Sequence, residues 1–197
     1  MPENCATKLR TFTALIQTII RLTGKLYFRR MDISNDIEAK NRFRKQVKGL
    51  WTFRLFLLLK LPIALVSGLR VRALDEHHCT VSVPFKRLTQ NPFRSVYFAS
   101  QAMAAEMSTG VLCLAAIQGC RPAVSMLVVN LQAIFTKKAT GRVFFTCENG
   151  DDITAAVATT MQTGEGVTVK CTSVGRLADG TEVSKFIVEW SLKRKSA

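Results

Sequence analysis

The chain has no apolar run of the ~20 residues that a helix needs to span a bilayer. Its most hydrophobic stretch, Trp51 to Ser67, is broken by Arg54, Lys60 and Pro62. Two readings of that stretch stay open: a helix packed onto a domain, or a membrane-surface segment in which Arg54 and Lys60 snorkel. No signal-peptide cleavage pattern opens the chain, so it reads as intracellular, cytoplasmic first, with a peripheral-membrane or organelle placement also open. The six cysteines (5, 79, 113, 120, 147 and 171) lack CxxC or Cys/His ligand spacing. Four of them sit in apolar stretches and read as reduced, buried thiols. His77-His78 has no acidic or Cys companion at metal-ligand spacing beyond the neighbouring Cys79, so no metal is predicted, and nothing calls for a cofactor. Zinc-finger spacing and RNP aromatics are missing too, which argues against nucleic acid as a partner. There is no Gly-x-Ser-x-Gly elbow for a serine hydrolase.

Acid is also scarce: 14 Asp/Glu stand against 28 Lys/Arg, a net charge of +14. Met1 to Leu74 holds 15 of the basic residues and only 4 acids. The basic character therefore belongs to the N-terminal third and favours anionic partners such as phospholipid surfaces or phosphorylated cofactors. Leu9 to Leu26, apolar and basic, predicts an amphipathic helix. The first thirty residues also have the acid-poor look of a transit peptide, while Met31 is an alternative start. Lys40 to Lys48 predicts a basic helical face.

From Gly68 the texture turns to strands. Gly68 to Leu74 and Cys79 to Phe85 predict an antiparallel pair, and Asn91-Pro92 a turn before a long helix closed by Gly119 and Pro122. Strands are predicted over Val124 to Phe135, Arg142 to Cys147, Val167 to Val174 and Glu182 to Leu192, with a short helix over Asp151 to Gln162. In the last strand Phe186, Val188, Trp190 and Leu192 share a face, and Asp179-Gly180 supplies the hairpin turn before it.

What the long helix contains is one charge. Glu106 is the only charged residue between Arg94 and Arg121. Burying an unpaired carboxylate costs several kcal/mol or more, and burial pushes its pKa up toward the range of a general base. It is either a satisfied structural carboxylate or a functional one. Ala102, Met103, Thr109 and Gly110, one turn away, offer no polar stripe that would mark a wet face.

One long helix followed by antiparallel strands and a terminal hairpin resembles the hotdog fold, in which a sheet curls around a helix apolar nearly all round. Gln90 to Gly110 (QNPFRSVYFASQAMAAEMSTG) looks like the helix motif of thioesterase-like hotdog proteins of the PaaI and DUF4442 type. Gly141 to Cys147, Gly164-Glu-Gly166, Asp179-Gly180 and Trp190-Ser-Leu192 agree with it. The resemblance, over about Lys60 to Lys193, implies an α+β hotdog domain at 67–195 behind a helical N-terminal extension at 1–66. It implies hydrolysis of acyl thioesters, acyl-CoA in lipid metabolism first among them, by a homodimer or dimer of dimers. Glu106 would be the carboxylate that activates water or attacks the thioester, and Asn91 the polar group orienting water or substrate. Phe98 and Ala99 would give entrance N–H groups to the oxyanion, and Tyr97 a hydrogen bond to the carbonyl. Arg94, with Arg87, Lys137 and Lys138, would meet CoA phosphates. The family's entrance His is Tyr97 here, and its glycine pair is Phe98-Ala99. Those departures motivate the alternative of a non-catalytic fatty-acyl or lipid binder with a membrane-surface N-terminal region. The side chain of Phe98 is expected in the core.

Overall fold

The computed structural model describes residues 36–196. The predicted helix over Leu9 to Leu26, the transit-peptide reading and the alternative start at Met31 lie outside the described residues. Three helices come first: α1 (Asp36–Lys48), α2 (Leu50–Lys60) and α3 (Pro62–Ser67). Gly49 separates the first two. Pro62 opens α3 where its missing N–H is not needed, and Gly68 closes it in the left-handed conformation. The single predicted hydrophobic segment is thus two helices bent at Leu61-Pro62. It packs on the domain along Phe53, Phe56 and Leu57 of α2 and Ala64 and Leu65 of α3, leaving Trp51, Leu55, Leu58 and Ile63 exposed.

The remaining elements follow the predicted order: β1 (Arg70–Leu74), β2 (Cys79–Val83), the long helix α4 (Phe98–Ala116), β3 (Val124–Phe135), β4 (Val143–Cys147), α5 (Gly150–Thr163), β5 (Val167–Arg176) and β6 (Glu182–Arg194). They form one six-stranded sheet in the order β1-β2-β4-β5-β6-β3, every neighbouring pair antiparallel. Period-2 patterning sets which face of each strand is inside. Val143, Phe145 and Cys147 of β4 are buried, as are Phe186, Val188, Trp190 and Leu192 of β6. Asp179 accepts the Thr181 amide at 2.9 Å, and Gly180 at φ +84° completes the β5–β6 turn.

The sheet wraps α4, which packs against β2, β4 and β5 and buries twelve of its nineteen residues. This is the hotdog arrangement. Small residues let the strands come close: Ala104, Ala105, Ser108, Thr109 and Gly110 are all buried. The polar ones among them are satisfied across the core, as buried polar groups must be. Ser108 and Ser173 hydroxyls lie 2.7 Å apart, and Ser184 Oγ donates to Gln101 Oε1 at 2.8 Å. Phe145 and Phe135 each meet Phe186 edge-on, at 5.7 and 5.6 Å. A Cβ on Gly175 would sit 2.5 Å from the Phe145 ring, so any larger residue at this position in β5 would have to displace that ring. Cys79, Cys113, Cys147 and Cys171 are buried and unbridged. A hydrogen bond with Cys171 and then burial push the Cys147 thiol up; a bond with Cys113 does the same for Cys171, and burial for Cys79.

Candidate functional site

The entrance to α4 is built by the loop before it. Asn91 Oδ1 accepts the Phe93 and Ser95 amides, each at 3.1 Å, and the Ser95 hydroxyl at 3.2 Å. Asn91 N donates to Ser95 O at 2.9 Å, and Arg94 N to Asn91 O at 3.1 Å. Arg94 turns the chain at φ 57°, a conformation uncommon for a non-glycine residue. Val96 N then donates to Ala139 O at 2.8 Å, and Tyr97 N to Thr89 O at 2.7 Å. The side-chain oxygen of Asn91 is therefore committed to the loop, which fixes where the helix begins.

At that beginning two donors stay free. Tyr97 is the N-cap residue, and no side chain caps the helix. Its carbonyl accepts the Ser100 and Gln101 amides at 3.0 and 3.1 Å. The amides of Phe98 and Ala99 meet no acceptor among the described residues. They are orphan donors at the positive end of a helix dipole, where an anionic oxygen is stabilised.

From these amides one open stripe runs along α4. Between Phe98 and Gly110 the positions that are not fully buried are Phe98, Ala99, Ala102, Met103 and Glu106. Their spacing of three, four and seven residues keeps them on one face. The stripe ends at Glu106, whose carboxylate has no hydrogen-bond or ion-pair partner among the described residues. It is not tied to backbone groups. Desolvation alone pushes its pKa up. The carboxylate lies over Gly110: a Cβ there would sit 3.3 Å from Glu106 Oε1 and 3.1 Å from the Trp190 ring. Beneath it, Trp190 Nε1 donates to Thr109 Oγ1 at 3.0 Å, and Thr109 Oγ1 to the Glu106 carbonyl at 2.9 Å. Thr109, Gly110 and Trp190 were not among the expected site residues. The signal was present, because Gly110 follows Glu106 by one helical turn.

Within one protomer the two chemical groups stay apart. Ala99 and Glu106 are separated by seven residues of helix rise, about 10 Å, and Oε1 points toward Gly110, away from the entrance. Phe98 is not a core aromatic as expected. Its side chain is 56% exposed and meets Tyr97, 44% exposed, edge-on at 4.8 Å. The reason is local: Phe98 begins the helix on the open stripe, and burial by the sheet starts at Ser100. Arg94, Arg87, Lys137 and Lys138 are exposed around loops. His77 and His78 lie in the β1–β2 turn, with Nδ1 atoms 2.9 Å from Asp151 and 2.7 Å from Asp75. Among the described residues no three His, Cys, Asp or Glu converge on one point.

The profile of the family described as domain of unknown function DUF4442 matches residues 49–192. The chain belongs to the DUF4442 family. The matched span of this DUF4442 chain takes in α2 and α3 as well as the sheet and α4. No curated protein matches it. Among solved structures, it is similar to a probable thioesterase of unknown function from Pseudomonas aeruginosa, 16% identical, with a TM-score of 0.64 over 76% of this chain and 99% of that one. A protein of unknown function from Chlorobaculum tepidum is 14% identical, with a TM-score of 0.65 over 80% and 98%. A thioesterase from Haemophilus influenzae is 12% identical, with a TM-score of 0.55 over 74% and 91%. At these identities the likeness establishes the hotdog fold of the DUF4442 chain.

Proposed function

We propose that the protein hydrolyses acyl thioesters, acyl-CoA being the substrate class, at a site assembled between two protomers. The observation that carries this reading is the partnerless, desolvated Glu106 at the end of a stripe that begins with two free amides. Glu106 takes a proton from water as the water oxygen attacks the thioester carbonyl. The resulting oxyanion accepts hydrogen bonds from the Phe98 and Ala99 amides. Collapse of the intermediate breaks the C–S bond, and the departing thiolate recovers the proton from Glu106, leaving a carboxylic acid. Tyr97 donates to the carbonyl, Asn91 holds the entrance loop that orients these groups, and Arg94 is placed for a phosphate of CoA. A raised carboxyl pKa suits a base working near neutral pH. The like-folded Haemophilus influenzae protein is named a thioesterase, which supports the class.

The separation of about 10 Å within one helix favours Glu106 of one protomer acting with the entrance amides of another. β3 supports the dimer or dimer of dimers that this requires. It is twelve residues long, lies at one edge of the sheet, and exposes Leu127, Val129, Leu131, Ile134 and Phe135. A long apolar edge left unpaired invites aggregation, so pairing it is the economical arrangement.

The test uses two variants and a series of acyl-CoAs. Glu106→Gln removes the base, and Ala99→Pro removes an amide donor in the first helical turn, where proline is tolerated. Each alone is expected to fold and lose turnover. Refolded together, they regain roughly a quarter of wild-type activity, because half of the dimers are mixed and each mixed dimer has one intact site of two. Wild-type turnover by Glu106→Gln refutes the mechanism. A mixture that stays inactive refutes the shared site. The exposed Tyr97 and Phe98 crowding the entrance favour a second reading, a non-catalytic acyl binder. Fatty acid retained in native mass spectrometry, without hydrolysis of any thioester, would select it.

A further inference from the structure

α2 is apolar on two opposite sides. Phe53, Phe56 and Leu57 face the domain, while Trp51, Leu55 and Leu58, at i, i+4 and i+7, form an outer stripe 78%, 54% and 55% exposed. Leu61, Ile63 and Val66 extend that exposed texture through α3. A contiguous apolar surface of this kind marks contact with a second phase or a partner. The charge around it says which. From Lys40 to Leu74 there are nine Lys or Arg and no Asp or Glu.

Beside the stripe is a cleft of about 260 Å³ lined by Arg54, Arg70, Lys86 and Arg142, with no acid in its lining. None of these four is in an ion pair among the described residues. Lys86 Nζ donates to the Val66 carbonyl at 2.8 Å, which ties the cleft to α3. Arg72 feels the crowding: burial, then Arg142 and Arg70, lower its guanidinium pKa. Four cations around one cavity repel one another, and an anion among them relieves that repulsion.

We propose that α2, α3 and this cleft form a docking surface for an anionic phospholipid bilayer. The Trp51–Leu55–Leu58 stripe enters the boundary between headgroups and acyl chains, and Arg54, Arg70, Lys86 and Arg142 take lipid phosphates. The helices lie on the membrane; no helix among the described residues is long and apolar enough to cross one. The inference stands apart from the thioesterase reading, since a hydrolase and an acyl binder would both use such a surface.

Full-length protein is sedimented with vesicles of phosphatidylcholine alone and of phosphatidylcholine mixed with phosphatidylglycerol, at two salt concentrations. Capture is expected on the anionic vesicles and weakens with salt. The double variant L55S/L58S loses it. R70Q/R142Q weakens it roughly twenty-fivefold, about fivefold for each cation removed from the surface. Both keep the wild-type circular dichroism spectrum; if the leucine pair does not fold, the arginine pair decides. Absence of capture, equal capture on neutral vesicles, or R70Q/R142Q matching wild type overturns the proposal. A raised KM for soluble acyl-CoA in R70Q/R142Q with unchanged capture gives the cleft to CoA instead. Vesicle-free self-association abolished by L55S/L58S gives the stripe to a second copy. Either result overturns membrane docking.

Discussion

Replacing Glu106 with Gln should make the protein more stable at neutral pH while abolishing turnover. Burial raises the Glu106 carboxyl above its ordinary value of 4.5 in the folded chain, so the unfolded chain ionises first as pH rises. Below the ordinary value both states are protonated, and wild type and Glu106→Gln are equally stable. Above it wild type falls behind, and the gap stops growing once pH passes the raised folded value. Each tenfold gain in proton affinity costs the ionised folded state about 1.4 kcal/mol, reduced by the water that reaches the half-buried carboxylate. For a chain of this length, about 1 kcal/mol moves Tm by roughly 2–4 °C. The assay is thermal unfolding of both proteins across the acid-to-neutral range, beside a pH–rate profile of wild type. That profile should rise through an apparent pKa above the usual carboxylate range, because only the ionised group accepts a proton. A Glu106→Gln variant that melts below wild type at neutral pH would mean the carboxylate holds the fold together, and the reasoning fails.

Gly110→Ala should act as a positioning change. Its methyl would meet the Trp190 ring at 3.1 Å and Glu106 Oε1 at 3.3 Å, so the carboxylate must turn. Overpacking of that size costs about 1–3 kcal/mol, and kcat should fall with KM little changed; unaltered kcat would remove Gly110 from the site. Cys79, Cys113, Cys147 and Cys171 are buried, and the thiols of Cys79, Cys147 and Cys171 are pushed up, so a thiol reagent should modify the four only on unfolding. Labelling in the native protein, located by mass spectrometry, would contradict that packing.

The architecture was legible because each element advertises its period. β6 alternates from Phe186 to Leu192, and α4 is a long apolar run between a turn at Asn91-Pro92 and Gly119. Glu106 was legible as one acid in an otherwise uncharged stretch. Three things were not. Hydrophobicity predicts that Phe98 is inside and leaves the leucines of α2 open between two readings, because composition cannot tell a buried face from one awaiting a partner. The Asn91 side-chain oxygen looked available, and three hydrogen bonds to its own loop consume it. The floor under Glu106 joins α4 to Trp190, eighty-one positions later than Thr109, and no local pattern encodes so distant a contact.

The hydrogen bonds from Ser184 to Gln101 and from Trp190 to Thr109 have a consequence for the angular setting of α4. A helix apolar all round has no preferred face, so burial alone would let it roll about its axis at little cost. One residue of roll is about 100°, enough to carry Glu106 from the opening into the sheet. The two polar ties act as keys about two turns apart and admit a single orientation. Whatever chemistry Glu106 performs is thus aimed by β6, through Ser184 at one tie and Trp190 beneath the carboxylate at the other.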